Sequence, residues 1–396
     1  MTSPLNGYRI LDLTSVIMGP FATQNLGDMG ADVIKVEAPG GDLTRAIGPA
    51  RNPGMGAMYL NANRNKRSIV LDLKQADGRR ALLKLAKTAD VLVHSMRPQA
   101  MRRLQLDYAD LKAVKTDIIY CACYGFGDDG PYAGRPAYDD VIQGVSGLSS
   151  IVGFITDEPR HAPALLADKT SGMAVTQAVT FALLHKEKTG EGQEVEVPMF
   201  ETMVHFNLVE HFSGAMFEPA EGDFGYTRLK APDRRPMATK DGHISLMPYT
   251  TDHWLRFFTA VGREDMLEDK RVTDPVYRAS HIAGLYAIVA DIVKNWTANA
   301  LIDLLVGADV PCTPVNRLED LLDDPHLSAI DFITEEDHPT EGKIRNTGIP
   351  IRFSKSPGAL RRHAPTLGEH SLELLSEIGY SDADIETLLT NGVTAT

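Results

Sequence analysis

Asp168 is the residue in this chain best placed to do chemistry. It sits in Ala167-Asp168-Lys169-Thr170-Ser171-Gly172, ahead of a segment, Thr170–Glu187, that reads as a long helix. Its plain structural role would be an N-cap, accepting hydrogen bonds from the helix's first free amides. Its chemical role would be that of a nucleophile. The positive end of the helix would favour the ionised carboxylate. Neighbouring amides would bind an oxyanion, and Gly172, with no side chain, would leave room for a bulky substrate. The residues alone leave both roles open.

Other patterns point less far. Gly125-Phe126-Gly127-Asp128-Asp129-Gly130 has the glycine spacing of a dinucleotide loop and follows a strand-like run. A helix should start there, with its amides facing a diphosphate. Instead Pro131-Tyr132 follows, and two aspartates would repel the ligand, so the stretch reads as a turn. The loop Thr14–Pro20 also lacks the glycines, which disfavours a nicotinamide oxidoreductase. His205 and His211 are six residues apart and do not share a helix face, so no metal site is expected. Gly144-Val145-Ser146-Gly147 misses the nucleophile-elbow spacing by one residue, which removes the simplest hydrolase. Cys121 and Cys123 alternate along an apparent strand and read as core; with Cys312 they form no disulfide framework. Basic residues cluster at Asn63-Arg64-Asn65-Lys66-Arg67-Ser68, with Lys74 beyond, and again at Arg97, Arg102 and Arg103. Placed at strand ends, such groups suit a phosphate-rich ligand. The plain alternative is a solvated basic face.

The elements that would position these groups alternate in type. Tyr8–Leu13, Asp32–Glu37, Ser68–Leu73, Asp90–His94, Asp117–Cys123 and Glu194–Pro198 read as strands. Helical stretches separate them at Phe21–Met29, Asp77–Thr88 and Thr170–Glu187, and Met199–Met216 follows the last. Strands joined by helical crossovers imply an α/β fold with a doubly wound, mostly parallel, Rossmann-like sheet. Near Phe217 the chain turns rich in Gly, Pro and charge, and a smaller unit with the strand His243–Met247 and several helices runs to about 330. The expected division is 1–216 for the large domain, 217–330 for linker and small α+β domain, and 331–396 for a C-terminal segment. The 396 residues carry 40 basic and 53 acidic side chains, a net charge of −13, which argues against nucleic acid or an anionic membrane as partner. No signal-peptide pattern and no long unbroken apolar run is read, so a soluble, cytoplasmic protein is expected.

From end to end the sequence resembles family III CoA-transferases, the group of formyl-CoA transferase and carnitine CoA-transferases. The likeness lies in PLNGYRILDLTSVIMGPFATQNLGDMGADVIKVE (4–37), NANRNKRSIVLDLK (61–74), ADVLVHSMRPQAM (89–101), YGFGDDGPYAGRPAYDDVIQGVSG (124–147), HKEKTGEGQEVEVPMFE (185–201), VPCTPVNRLEDLLDDPHL (310–327) and APTLGEH (364–370). The resemblance implies that Asp168 is the catalytic aspartate and that Asp139 is an acidic active-site residue. It implies CoA contacts at Val16, Ile17, Met18, Leu71, Asp72, Leu73, Lys74, Ser95, Met96, Arg97, Arg103 and Tyr138, with Met199 near the thioester. CoA and acyl-CoA would be substrates, with no permanently bound cofactor. It further implies an interlocked homodimer whose sheet domain is built from both ends of the chain.

There are departures. Ala38 stands where formyl-CoA transferase has an arginine, Ile17 replaces a glutamine, and the glycine-rich lid of the small domain is missing. A larger or more apolar acyl group than oxalate or formate is therefore expected. The linker residues Arg228, Arg234 and Arg235 could meet an acceptor carboxylate in a partner's active site, or could be solvated charge. Two rivals to CoA transfer are a racemase of the alpha-methylacyl-CoA type and a silent CoA-binding protein. The racemase carries a histidine in G-H-D, suited to proton transfer near neutrality; the corresponding stretch here, Pro136-Ala137-Tyr138-Asp139-Asp140, has none.

Overall fold

The computed structural model describes residues 3–156 and 158–396. It divides into two compact units. The first comprises 1–149, 161–206 and 331–396; the second comprises 150–160 and 207–330. The second unit thus begins inside a helix at Asn207, where the change in composition had suggested 217.

Six parallel strands form the sheet of the first unit: β1 (Arg9–Leu13), β2 (Asp32–Glu37), β3 (Lys66–Val70), β4 (Val91–His94), β5 (Ile119–Tyr124) and β6 (Glu194–Pro198). Their order is β3-β2-β1-β4-β5-β6. Ile10 pairs with Val33 on one side and Val91 on the other, so β1 is central and the winding reverses between β1 and β4. The inner strands are buried on both faces, which is why they read as nearly unbroken apolar runs. Ile10, Val91, Val93, Ile119, Cys121 and Cys123 pack one face against helices Met18–Asp28 and Leu166–Thr189. Leu11, Leu13, Leu92 and Tyr120 pack the other against Ala76–Ala86, Ser371–Glu377 and Asp382–Thr390. The last two helices bring the C-terminus onto β3: the Asp72 amide donates to the Val393 carbonyl at 2.8 Å and the His370 amide to Ser68 at 2.9 Å. An antiparallel hairpin, β10 (Ile333–His338) and β11 (Gly342–Thr347), precedes them.

The second unit holds a three-stranded antiparallel sheet, β7 (Met237–Ala238), β8 (His243–Leu246) and β9 (Cys312–Pro314). Its core is built on Trp254, Phe257, Phe258, Leu285, Tyr286, Val289, Leu301 and Leu305. The helix Pro275–Val293 is long and apolar enough by composition to cross a membrane, contrary to the sequence reading. Its Ile282, Leu285, Tyr286, Val289 and Val293 recur at helical spacing and fill this core.

Candidate active site

In a doubly wound sheet, ligands bind beyond the carboxyl ends of the strands where the winding reverses. Here that place lies between the loops after β1 and β4. The β1 loop is held from beneath. The Thr14 amide donates to Asp12 Oδ1 at 2.9 Å, while Lys66 Nζ and the Thr23 hydroxyl bond Asp12 Oδ2 at 2.9 and 2.7 Å. Lys35 Nζ donates to the Thr14 carbonyl at 3.0 Å and pairs with Asp42 at 2.9 Å. Burial opposes ionisation of Asp12, but Lys66 and Lys35 outweigh it and hold its carboxyl well below the ordinary range. Val16 then takes a φ of +71°, a strained setting for a β-branched residue, with its amide 3.3 Å from Asp42 Oδ1. The Ser15 amide reaches across to Ser95 Oγ at 3.2 Å, joining the two loops.

Asp168 lines the cavity formed there, which measures about 360 Å³. The helix carrying it starts at Leu166, not at Thr170, so Asp168 lies in the first turn and is not the cap. Only 8% of Asp168 is exposed. Its backbone amide donates to Asp139 Oδ1 at 2.8 Å, so Asp139 satisfies one of the helix's orphan donors from another helix, Asp139–Val145. Gln143, one turn on, donates to Asp139 Oδ2 and to the Ala164 carbonyl at 3.1 Å, and accepts the Ala162 amide at 2.8 Å. The segment entering the Asp168 turn is thereby fixed.

Two sequence expectations fail at this point. Burial pushes the Asp168 carboxyl up to about 7, and the Asp139 charge adds to the rise. Desolvation and a like charge override the helix end that was expected to favour the ionised form. Gly172 does not open space for substrate either. A Cβ there would lie 2.7 Å from the Met18 carbonyl oxygen, so the glycine serves the close approach of helices Met18–Asp28 and Leu166–Thr189. The neighbouring amides are also partly committed, that of Asp168 to Asp139 and that of Leu166 to the Ala164 carbonyl.

Most of the residues singled out from sequence come together. Val16, Met18, Ser95, Met96, Arg97, Tyr138 and Met199 line the cavity with Asp168. Leu71, Asp72, Leu73, Lys74 and Arg103 line a neighbouring cavity of about 720 Å³ beyond β1, β2 and β3, and Met96 borders both. Ile17 lines neither and is buried. Asp139 contacts Asp168 without lining the cavity. The cluster 63–68 is misplaced by the sequence reading. It lies at the amino end of β3, where Arg64 pairs with Asp28, Lys66 with Asp12, and Arg67 with Asp32, Glu373 and Glu377. Arg102 is engaged with Asp128 at 2.8 Å. Sequence reasoning missed Arg79 and Arg135, one on each cavity, and Leu43, which borders both. The Gly125–Gly130 loop is a turn: its Gly127 and Asp128 amides donate to Glu201 and Glu196.

Comparison with known proteins agrees with this architecture. A family model described as CoA-transferase family III matches residues 5–371. Over 382 residues the chain is 32% identical to the succinate–glutarate CoA-transferase of Agrobacterium fabrum, with 95% of this chain and 96% of that protein covered. Over 386 residues it is 33% identical to the succinyl-CoA:mesaconate CoA-transferase of Haloarcula hispanica, with the same two shares covered. The crystal structure of a CaiB/BaiF family protein from Brucella suis matches with a TM-score of 0.80 at 30% identity, covering 96% of this chain and 100% of that one. A six-stranded parallel sheet of Rossmann order, a buried carboxylate at its switch point and likeness along nearly the whole length lead to one assignment: the chain belongs to CoA-transferase family III.

Proposed function

We propose that this enzyme carries CoA from an acyl-CoA donor to a carboxylic acid through covalent intermediates on Asp168. One observation supports this most: a buried, desolvated carboxylate lines the cavity at the switch point, beside a second cavity large enough for much of a nucleotide-bearing ligand. The Asp168 oxygen attacks the thioester carbonyl, the C–S bond breaks, and CoA leaves as a thiolate. The product is a mixed anhydride. The thiolate then attacks Asp168 Cγ, the Cγ–O bond breaks, and the donor acid departs, leaving an aspartyl-CoA thioester. The acceptor carboxylate attacks that Cγ and releases the thiolate. Attack of the thiolate on the new acyl carbonyl forms the product thioester and restores Asp168. Each step exchanges one bond for another and no electrons leave the reactants, so the chemistry balances without ATP or a redox group. Burial that raises the pKa also leaves the ionised carboxylate poorly solvated, hence more nucleophilic.

Asp139 acts in this scheme as a positioning residue that holds the amide of the nucleophile. Lys74, Arg79 and Arg103 on the larger cavity supply cations for the phosphates of CoA. The named relatives act on succinate, glutarate and mesaconate, and we extend that class, short dicarboxylic acids, to the acids handled here. We also take the enzyme to be a homodimer. The long helix exposes Met173, Phe181 and Leu184, which fall along one stripe and suit burial against a second copy.

The deciding experiment incubates the protein with a panel of acyl-CoA thioesters, then digests it and weighs the peptide containing Asp168. A CoA adduct on that peptide is expected. An Asp168→Ala variant that keeps full transfer activity would sink the proposal. A parallel sample in heavy water tests the racemase. Deuterium at the α-carbon without an adduct would favour it, although no histidine is among the described residues lining the cavity.

A further inference from the structure

The cavity around Asp168 carries two cations, Arg97 and Arg135, and both are exposed. Val16, Met18, Leu43, Ala137 and Met199 give it largely apolar walls, and Asp168 is the one carboxylate among its described lining residues. Arg102, near in sequence, is engaged by Asp128. Among the described residues no carboxylate pairs with Arg97 or Arg135, and of the two only Arg97 donates to a protein oxygen, the Gly134 carbonyl at 3.4 Å. The family likeness accounts for Arg97 as a CoA contact and leaves Arg135 without a role. Arg135 is nevertheless held in place. Its guanidinium lies over the Tyr132 ring, 4.3 Å from the centre. Tyr132 is itself fixed, with ring centres 5.4 Å from Phe126 and 6.1 Å from Phe200. The backbone turns sharply there: the Arg135 amide donates to the Tyr132 carbonyl at 3.1 Å, Gly134 takes a φ of +71°, and Pro136 follows. A guanidinium seated on an aromatic ring keeps its charge and its planar fork for a carboxylate. Such a seat also lowers the ordering cost of binding. The rise of the Asp168 carboxyl comes from burial and Asp139 with no cation opposing it, so the guanidinium stands clear of the reacting oxygen.

We propose that Arg135 receives the far carboxylate of a dicarboxylic acyl group whose near carbonyl faces Asp168. This rests on the transfer reading above and names the residue that selects the acid. An acyl group ending in a methyl offers the fork nothing, whereas one ending in a carboxylate gains a charge-assisted pair, so Arg135 discriminates by the far end of the chain. Donor and acceptor acids occupy the cavity in turn, so the same arginine reads both.

The test measures binding by titration calorimetry in the full chain carrying Asp168→Ala, which cannot form the adduct. Glutaryl-CoA, pentanoyl-CoA and free CoA are compared; the first two have acyl chains of equal length and differ at the far end. Adding Arg135→Leu is expected to weaken glutaryl-CoA about tenfold. Pentanoyl-CoA and free CoA are expected to stay within about twofold, which also shows that the variant is folded. Arg135→Lys, which keeps the charge and loses the fork, is expected to lie between and serves as the second variant if Arg135→Leu fails to fold. An unchanged affinity for glutaryl-CoA overturns the proposal. So does an equal loss for all three ligands in a variant whose circular dichroism matches the parent, since Arg135 would then be a contact to CoA itself. The transfer reading is judged separately, by adduct formation on Asp168 in the parent protein. If no adduct forms there, that reading falls, and the binding comparison still decides Arg135.

Discussion

At the scale of single residues, the proposed chemistry turns on a carboxylate that its surroundings would rather keep protonated. Burial first and Asp139 second raise Asp168 to about 7. Only the ionised form attacks a thioester, so the rate of adduct formation is expected to rise with pH through about 7, measured by rapid quench. Asp139→Asn removes the like charge and keeps an acceptor for the Asp168 amide. It is expected to move that midpoint down without restoring the ordinary value, because burial remains the larger cause. Stability runs the opposite way. A group whose folded pKa lies above its unfolded value contributes fully below the unfolded value and loses that contribution as pH climbs through the folded one. Asp168→Asn should therefore abolish transfer and yet resist urea better than the parent at about pH 8, by roughly 2–4 kcal/mol, with the difference gone near about pH 4. The position of Asp168 was legible, since local spacing and the family likeness both led to it. Its protonation was not, because burial and Asp139 come from packing between helices far apart in sequence. The same limit misread Arg64, Lys66 and Arg67. A basic run looks alike whether it will meet phosphates or buried carboxylates, and their partners Asp28, Asp12 and Glu373 lie far along the chain.

Among elements, the two helices that flank the site are set by a glycine and the sheet by buried ions. Replacing a helical glycine by alanine ordinarily stabilises by about 0.5–1 kcal/mol. At Gly172 the new Cβ would sit 2.7 Å from the Met18 backbone oxygen, which cannot swing away as a side chain could. Overpacking of that kind costs about 1–3 kcal/mol, so Gly172→Ala is expected to destabilise on balance in a urea titration. It should also slow adduct formation, since Met18 lines the cavity. In the sheet, Lys66 has no exposed side-chain surface and faces an equally buried Asp12. Lys66→Met would leave that carboxylate without its nearest cation and is expected to cost about 3–5 kcal/mol, read from the same titration. Strand positions in the sheet were readable from apolar runs; β3 was read two residues late, from Ser68, because its first residues, Lys66 and Arg67, are charged and yet buried. The hairpin β10–β11 also escaped, being polar or charged along most of its length, and so did the short helix Asp139–Val145. A start four residues early in the long helix was enough to turn Asp168 from an expected cap into a first-turn residue, since caps are read from the first periodic apolar position.

For the molecule as a whole, the strongest remaining demand comes from surface that neither unit's own core uses. Met173, Phe181 and Leu184 are 57%, 66% and 52% exposed on a helix whose other side packs the sheet. Their spacing keeps them within one face, and apolar residues gathered on one face of a soluble helix mark an interaction surface more often than singly scattered ones do. A net charge of −13 would hold two copies apart at long range, so association has to come from such contacts and not from steering. Phe181 is the most exposed of the three, and burying an aromatic of its size contributes about 1.5–3 kcal/mol. A charge placed at its position inside an interface would forfeit that and add a desolvation penalty. Phe181→Glu is therefore expected to shift the protein from dimer to monomer in sedimentation velocity while leaving the circular dichroism of the sheet unit unchanged. A Phe181→Glu protein that sediments like its parent would show that the stripe is not where two copies meet.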